Sequence, residues 1–110
     1  MTRWTPVCEL AALDAERGVA ALVDGVQVAL FLLDDGRVLG VANHDPFSGA
    51  NVVSRGIVGT HGARTTVTSP MHKQVWDIVT GECLDAAGKE PVDLAVFAVE
   101  VRDGVVHVAS

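Results

Sequence analysis

The residues able to do chemistry in this 110-residue sequence are thinly spread along the chain. No two of its four histidines have the short spacing along a helix or loop that a zinc site usually shows. No serine stands in a Gly-x-Ser-x-Gly nucleophile elbow, and no glycine-rich phosphate loop is present. The pattern therefore favours histidines that lie in loops or on the surface, and it predicts no autonomous active site. The four histidines are His44, His61, His72 and His107.

The two cysteines, Cys8 and Cys83, are interpreted as reduced thiols. The N-terminus, which reads Met1-Thr2-Arg3-Trp4, has no apolar segment of the kind that marks a protein for export. Disulfides are rare in the cytosol. We therefore expect a cytoplasmic protein with two free thiols, although the residues alone also allow a disulfide between them.

Charge and hydropathy limit the kinds of partner. Fourteen acidic residues against eight basic ones give a formal net charge of −6, whereas a nucleic-acid binder needs a basic face. The longest apolar run, Val26–Leu33, is interrupted by Gln27 and is far too short to cross a bilayer. We expect neither a nucleic-acid partner nor a membrane partner.

The elements that must position these residues are short strands. Valine, which is stiff at χ1 and suits a pleated surface, occupies 20 of the 110 positions. Asp-Gly and similar turn dipeptides recur between apolar runs, which is typical of an antiparallel sandwich or small barrel. The predicted strands are Gly18–Val23, Val26–Leu33, Arg37–Ala42, Asn51–Val58, Thr65–Thr68, Gln74–Val79, Leu94–Val101 and Val105–Ala109.

Four segments sharpen this prediction. Val26–Leu33 is apolar on both faces, which indicates a central strand covered on both sides. Leu94–Val101 and the run after it should form a hairpin through Asp103-Gly104. Cys8–Ala15 is a helical candidate of about two turns. Asp45–Asn51 is too rich in turn residues for a strand, and we expect an exposed loop there, with Asp45 initiating a turn.

Two longer segments resemble the small subunit of assimilatory NAD(P)H-dependent nitrite reductase. In that family a DPFS…V.SRGIVG loop is followed by an SP..KQ.FD…TG.CL loop. The start of the chain, the strand Val28-Ala29-Leu30-Phe31 and the last hairpin agree as well, so the resemblance covers nearly the whole chain. The segments are Asn43-His44-Asp45-Pro46-Phe47-Ser48-Gly49-Ala50-Asn51-Val52-Val53-Ser54-Arg55-Gly56-Ile57-Val58-Gly59 and Ser69-Pro70-Met71-His72-Lys73-Gln74-Val75-Trp76-Asp77-Ile78-Val79-Thr80-Gly81-Glu82-Cys83-Leu84.

The wider superfamily is the Rieske domain, whose two-iron cluster needs two thiolates and two imidazoles. These ligands come from a Cys-x-His loop and a Cys-x-x-His loop. Ser69 and His72 occupy the second pair of positions, while Pro46 and Ser48 occupy the first. At most His72 survives of the four ligands, and serine and proline are not soft donors. The resemblance thus implies a Rieske-like protein without an iron–sulfur cluster.

The resemblance implies an all-β, Rieske-like antiparallel β-sandwich with a small subdomain formed by the two former cluster loops, as one domain over residues 1–110. Its expected role is that of a non-catalytic small subunit in nitrate assimilation, within the enzyme that reduces nitrite to ammonium. The partner is the large subunit, which in that family carries FAD, an iron–sulfur cluster and sirohaem. No cofactor is expected in this chain.

The candidate partner contacts are the polar residues on or beside the former cluster loops: His44, Arg55, His72 and Lys73. Arg55 and Lys73 could make ionic contacts, or could be solvated charges that keep this end soluble. Two alternative functions stay open. One is a cluster-free binding module for another oxidoreductase, and the other is a redox-active Rieske ferredoxin, against which the missing ligands argue.

Overall fold

The computed structural model describes residues 2–110, which form eleven β-strands in three antiparallel sheets. The first sheet has the order β1-β11-β10, the second β2-β3-β4-β9, and the third β5-β6-β7-β8. The described residues include no helix long and apolar enough to cross a membrane. The all-β antiparallel prediction is confirmed. The strands are β1 Trp4–Glu9, β2 Gly18–Val23, β3 Val26–Leu32, β4 Val38–Ala42, β5 Ile57–His61, β6 Arg64–Thr68, β7 Val75–Asp77, β8 Cys83–Asp85, β9 Val96–Phe97, β10 Val99–Arg102 and β11 Val105–Ala109.

Strand β3 is the centre of the molecule because its two faces belong to two different cores. Val28 and Leu30 pack with Val106 and Val108 of the first sheet. The alternating residues, including Phe31, pack instead against the third sheet. The second sheet is therefore covered on both sides, as the two-faced apolar pattern predicted.

The core on the third-sheet side holds the former cluster loops in place. Phe31 packs there in one cluster with Val53, Val67 and Trp76, all with no exposed surface. The Trp76 indole donates a hydrogen bond of 2.9 Å to the carbonyl of Val92. Burial of these large side chains stabilises the third sheet against the second.

Three strand or helix predictions were wrong in part. Cys8–Ala15 is not a helix, because β1 pairs with β11 as far as Glu9 and only the 3₁₀ turn Leu10–Ala12 follows. Leu94–Val101 is broken at Ala98, where the chain leaves the second sheet and joins the first.

The third correction concerns Asn51–Val58, which begins with the 3₁₀ turn Val53–Arg55 rather than a strand. The side chain of Asn43 causes the turn, since its Oδ1 accepts the amide of Ser54 at 2.7 Å and its Nδ2 donates to the carbonyl of Asn51 at 3.3 Å. These bonds replace the ladder that a strand would need. The new strand starts only at Ile57.

Gly18 lets this 3₁₀ turn lie directly on β2. A Cβ added at Gly18 would overlap the carbonyl oxygen of Ser54 and lie 2.8 Å from a ring carbon of Phe31. A side chain at Gly18 would fit only if the backbone of Ser54 or the packed ring of Phe31 moved, and both movements cost free energy.

Gly18→Ala should therefore lower the free energy of unfolding by about 1–3 kcal/mol, as overpacking does elsewhere. The matched control is Gly59→Ala, because a Cβ there would meet nothing closer than the Thr66 hydroxyl at 3.8 Å. Urea unfolding of the two variants measures the difference. Equal stability of both would contradict the close packing of β2 on the turn.

Candidate functional site

The two former cluster loops lie at one end of the third sheet, and we call residues 43–55 and 69–74 the tip. The first loop connects β4 to β5, and the second connects β6 to β7. Ile57, the first residue of β5, pairs with Thr68, the last of β6, so both loops emerge at the same end. The ring of Phe47 packs 5.9 Å from that of Trp76, which anchors the first loop to the core.

A single buried carboxylate joins the two loops. Asp45 has no exposed surface, and its Oδ1 accepts the amides of Phe47 at 2.8 Å and Ser48 at 3.3 Å. Its Oδ2 accepts the hydroxyl of Ser69 at 2.6 Å, across 24 positions of sequence. The same hydroxyl oxygen accepts the amide of Met71 at 3.2 Å.

The turn predicted at Asp45 is thus confirmed, but its burial and its bond to Ser69 are not features that the sequence pattern indicated. An exposed loop was expected at Asp45–Asn51, and for Asp45 that expectation is wrong. The physical reason is that a carboxylate can enter the interior when hydrogen-bond donors surround it. The sequence analysis interpreted Ser69 only as a lost iron ligand, but its hydroxyl supplies one of those donors.

The electrostatics of Asp45 follow from these contacts. Burial disfavours the charged form, but the hydrogen bonds from Ser69 and from the amides of Phe47 and Ser48 outweigh it. The pKa of Asp45 therefore lies below its ordinary value. Asp45 is an anion that stabilises the tip, and it is held too firmly to act as a proton carrier near neutral pH.

Gln74 is a second buried polar residue that the sequence analysis did not single out. Its backbone carbonyl accepts the amide of Ser69 at 2.8 Å and closes the second loop. Its side chain has no exposed surface, and neither Nε2 nor Oε1 makes a hydrogen bond within the described part of the chain. A buried amide without hydrogen bonds costs free energy, and it lies at the last position of the second loop.

The four positions of the former cluster do not fit an iron–sulfur cluster. Pro46 has no donor side chain, and the hydroxyl of Ser69 is engaged by Asp45. The hydroxyl of Ser48 accepts the amide of Ala50 at 3.3 Å. Within residues 2–110, no three of the His, Cys, Asp and Glu side chains come together as a metal site would require. The serine hydroxyls at these positions are hard, uncharged oxygen ligands, whereas the cluster needs soft thiolates.

The thiols take no part in the tip. Cys8 lies in β1 and Cys83 in β8, and both are free. Burial raises the pKa of each above its ordinary value. The thiolate needed for nucleophilic or redox chemistry is therefore disfavoured at both positions.

All four candidate contact residues lie exposed on the tip: His44, Arg55, His72 and Lys73. Lys73 adopts a φ of 64°, a left-handed conformation that is uncommon for a residue with a side chain. Beside them, Ile57 is 73% exposed and Met71 is 50% exposed. Exposed apolar and cationic side chains thus occur on the tip and next to it in sequence.

The cations of the tip differ from most others in the chain. Of the eight lysines and arginines, five form ion pairs within residues 2–110: Arg3, Arg17, Arg37, Arg64 and Arg102. The remaining three are Arg55, Lys73 and Lys89, so two of the three lie on the tip. Since Asp45 is buried, the exposed formal charges of the tip are positive on a chain of net charge −6.

Comparison with known proteins gives consistent relatives. A family model described as Rieske-like [2Fe-2S] domain matches residues 3–109. The NADH nitrite reductase small subunit of Escherichia coli K12 is 32% identical over 108 residues, which covers 97% of each chain. A solved structure from Mycobacterium tuberculosis, provisionally named NADH-dependent nitrite reductase small subunit, is 47% identical with a TM-score of 0.92. That match covers 100% of this chain and 96% of the other.

One further relative is much longer than this chain. The NAD(P)H nitrite reductase large subunit of Klebsiella oxytoca contains a stretch that is 35% identical over 107 residues. The stretch covers 97% of this chain and 11% of that protein.

Ser69→Ala should destabilise the protein by about 1–3 kcal/mol at pH 7, because a buried carboxylate oxygen loses its donor. The low pKa of Asp45 in the folded state means that its stabilisation is complete above about pH 4, the ordinary carboxyl value, and is lost as pH falls through the folded pKa. The cost of Ser69→Ala should therefore shrink at acid pH. Urea titrations at pH 7 and at lower pH measure both effects.

The control is Ser54→Ala, since Ser54 is also buried in the tip but uses its backbone amide for its 2.7 Å bond to Asn43. This variant should cost less, and its cost should not vary with pH across the same range. A pH-independent cost for Ser69→Ala would contradict the role of Asp45.

Reconstitution with iron and sulfide under anaerobic conditions should leave the protein colourless, because three of the four ligand positions hold Pro46, Ser48 and Ser69. Iron analysis and electron paramagnetic resonance check this expectation. A stoichiometric iron content with a Rieske signal would overturn it.

Proposed function

The chain belongs to the Rieske-like family and, within it, to the nitrite reductase small subunits, and from this premise we propose that it binds the nitrite reductase large subunit through its tip. In this role it orders or regulates the enzyme that reduces nitrite to ammonium with NAD(P)H. The electron path lies in the large subunit, with FAD, an iron–sulfur cluster and sirohaem as its cofactors. Cofactors of this kind perform the redox chemistry, while protein groups supply binding and orientation.

The observation that carries this proposal is the match inside the Klebsiella oxytoca large subunit. A stretch similar to 97% of this chain occurs within that longer polypeptide, so the two parts are held together there by a covalent connection. A covalent link between two domains raises the effective concentration of each for the other. Such a link is useful where the two domains bind each other. We infer that this chain makes the equivalent association without the covalent link.

The composition of the tip supports its use as the docking surface. Met71 in the tip and Ile57 directly after it expose apolar area, and each stands two positions from an exposed cation, Lys73 and Arg55. Apolar centres with polar rims are typical of protein interfaces, in which Met and Arg are enriched. The matching surface of the large subunit is expected to be apolar at its centre and acidic around it.

The free thiols support a reducing compartment, and we propose the cytoplasm. We also propose nitrate assimilation as the process that this complex serves. Purification of the complex from cells grown with nitrate as nitrogen source tests both points, since the chain should then co-purify with a sirohaem protein from the cytosolic fraction.

Arg55→Ala combined with Lys73→Ala should weaken binding to the large subunit about tenfold or more, which corresponds to roughly 1.4 kcal/mol per factor of ten. Titration calorimetry with the purified large subunit measures this loss. The melting temperature should barely move, because exposed charges contribute little to folding.

The control combines Arg3→Ala with Lys89→Ala, which are exposed cations outside the tip. Both double variants change the net charge from −6 to −8, so a general charge effect would affect them equally. Binding that is lost equally in both, or retained in both, would remove Arg55 and Lys73 from the interface.

A further inference from the structure

Three turns of this chain share one hydrogen-bond pattern. They span residues 45–50, 69–74 and 77–82, so the first two lie in the tip and the third begins at the last residue of β7. In each turn the amide of the first residue donates to the carbonyl of the sixth, at 2.8, 2.8 and 2.9 Å. The amide of the fifth residue donates back to the carbonyl of the first, at 2.8, 3.2 and 2.8 Å.

The side chain of the first residue has the same role in all three turns, because its oxygen accepts the amide of the third residue. The backbone of the fifth residue is left-handed in each turn, with φ of 77°, 64° and 80°. The three turns are therefore one structure built from different residues. The side-chain bonds are Asp45 with Phe47 at 2.8 Å, Ser69 with Met71 at 3.2 Å and Asp77 with Val79 at 2.7 Å.

The second loop differs from the other two turns at the fifth residue. This residue is Gly49 in the first turn and Gly81 in the third, but it is Lys73 in the second. Glycine adopts the left-handed conformation freely, whereas a Cβ comes too close to the following carbonyl oxygen. The second loop therefore carries a backbone cost that two equivalent turns of the same chain avoid.

The other left-handed residues with side chains lie outside the tip. Asp24, Ala87 and Asp103 each precede a glycine in a two-residue turn, whose geometry requires a positive φ at both positions. The remaining one is Glu16, at 62°. Within the tip, Lys73 is the one described residue with a side chain that adopts this conformation.

The next residue adds a second cost to the same loop. The side-chain amide of Gln74 is buried without a hydrogen-bond partner within residues 2–110. In the first loop, by contrast, the buried side chains of Asn43 and Asp45 are hydrogen-bonded. Arrangements that cost stability concentrate at sites where function has requirements of its own.

Solubility does not account for a lysine at this position. Met71 and His72 are exposed neighbours in the same loop, and neither has a positive φ. A cation at either position would add the same charge to the tip without the backbone cost. The charge is therefore needed at position 73 itself.

We propose that Lys73 determines which partner the tip recognises, because its ammonium group pairs with a carboxylate of the large subunit. Charged pairs of this kind select the right partner and orient it. The left-handed backbone is the cost of holding the ammonium group where that carboxylate docks. The proposal rests on the proposed function and names Lys73, rather than Arg55, as the residue that carries the recognition of charge.

Lys73→Gly should change stability and binding in opposite directions. Its melting temperature should rise by roughly 4 °C, because glycine removes the backbone cost. Its affinity for the purified large subunit, measured by titration calorimetry, should fall about tenfold or more. A melting temperature that does not rise overturns the proposal, and so does an affinity within about twofold of that of the unaltered chain.

Lys73→Gln separates the charge from the backbone, because it removes the ammonium group and keeps a side chain on the left-handed residue. Its affinity should fall as far as that of Lys73→Gly, whereas its melting temperature should stay within about 1 °C of that of the unaltered chain. Unchanged affinity in this variant overturns the proposal.

The matched control combines Lys73→Gly with Gly49→Lys. This exchange keeps the net charge at −6 and moves the lysine to the equivalent position of the first loop. Gly49 is exposed, and a Cβ there would meet nothing within 4 Å. The affinity of the exchange variant should stay about tenfold or more below that of the unaltered chain. Recovered affinity overturns the proposal, because any cation on the tip would then suffice.

The outcomes separate this proposal from the proposed function. Loss of binding in the Arg55→Ala and Lys73→Ala double variant without loss in Lys73→Gln overturns the role of Lys73 and leaves docking through the tip intact. Failure of the unaltered chain to bind the large subunit overturns both proposals. If the exchange variant does not fold, the comparison of Lys73→Gly with Lys73→Gln decides the question alone.

Discussion

The hydrogen bond between Asp45 and Ser69 is the one hydrogen bond that joins the two loops of the tip within residues 2–110. In a Rieske protein, iron and sulfide join the corresponding loops through four ligands. Here a carboxylate without exposed surface accepts three hydrogen bonds, one of them from the opposite loop at 2.6 Å. Because charge-assisted bonds in the interior are strong, one such group can order a loop that has lost its metal.

The position of this hydrogen bond depends on the packing of the hydrophobic core beneath the tip. Phe47 reaches Trp76, and Trp76 shares a core with Phe31 of the central strand β3. The opposite face of β3 packs on the first sheet, so this strand connects the core beneath the tip with the core of the first sheet. A tip held in this way is a preformed surface, and binding to it need not include the entropy cost of ordering a flexible loop.

The amino-acid sequence predicted those parts of the structure that depend on short-range patterns of apolar and turn-forming residues. The two apolar faces of β3 and the Asp103-Gly104 hairpin follow from periodicity and turn chemistry, and both are confirmed. The 3₁₀ turn Val53–Arg55 could not be predicted in this way, because Asn43 causes it from a distance of ten positions or more. The burial of Asp45 was missed for the same reason, since its donor Ser69 is remote in sequence.

The loss of thiolate ligands changes what the tip can do without changing where it is. Ser69 keeps the place of an iron ligand and now serves the protein's own loops through Asp45. Because this bond occupies the polar interior, the exposed groups are the chemically distinctive part of the tip: cations such as Arg55 and Lys73 and the apolar side chain of Met71, with Ile57 just outside the tip. Such groups recognise another protein better than they transfer electrons. In the function proposed above, the scaffold that positions a metal in Rieske proteins positions a binding surface instead, and both tasks need two loops fixed at one end of a rigid sheet.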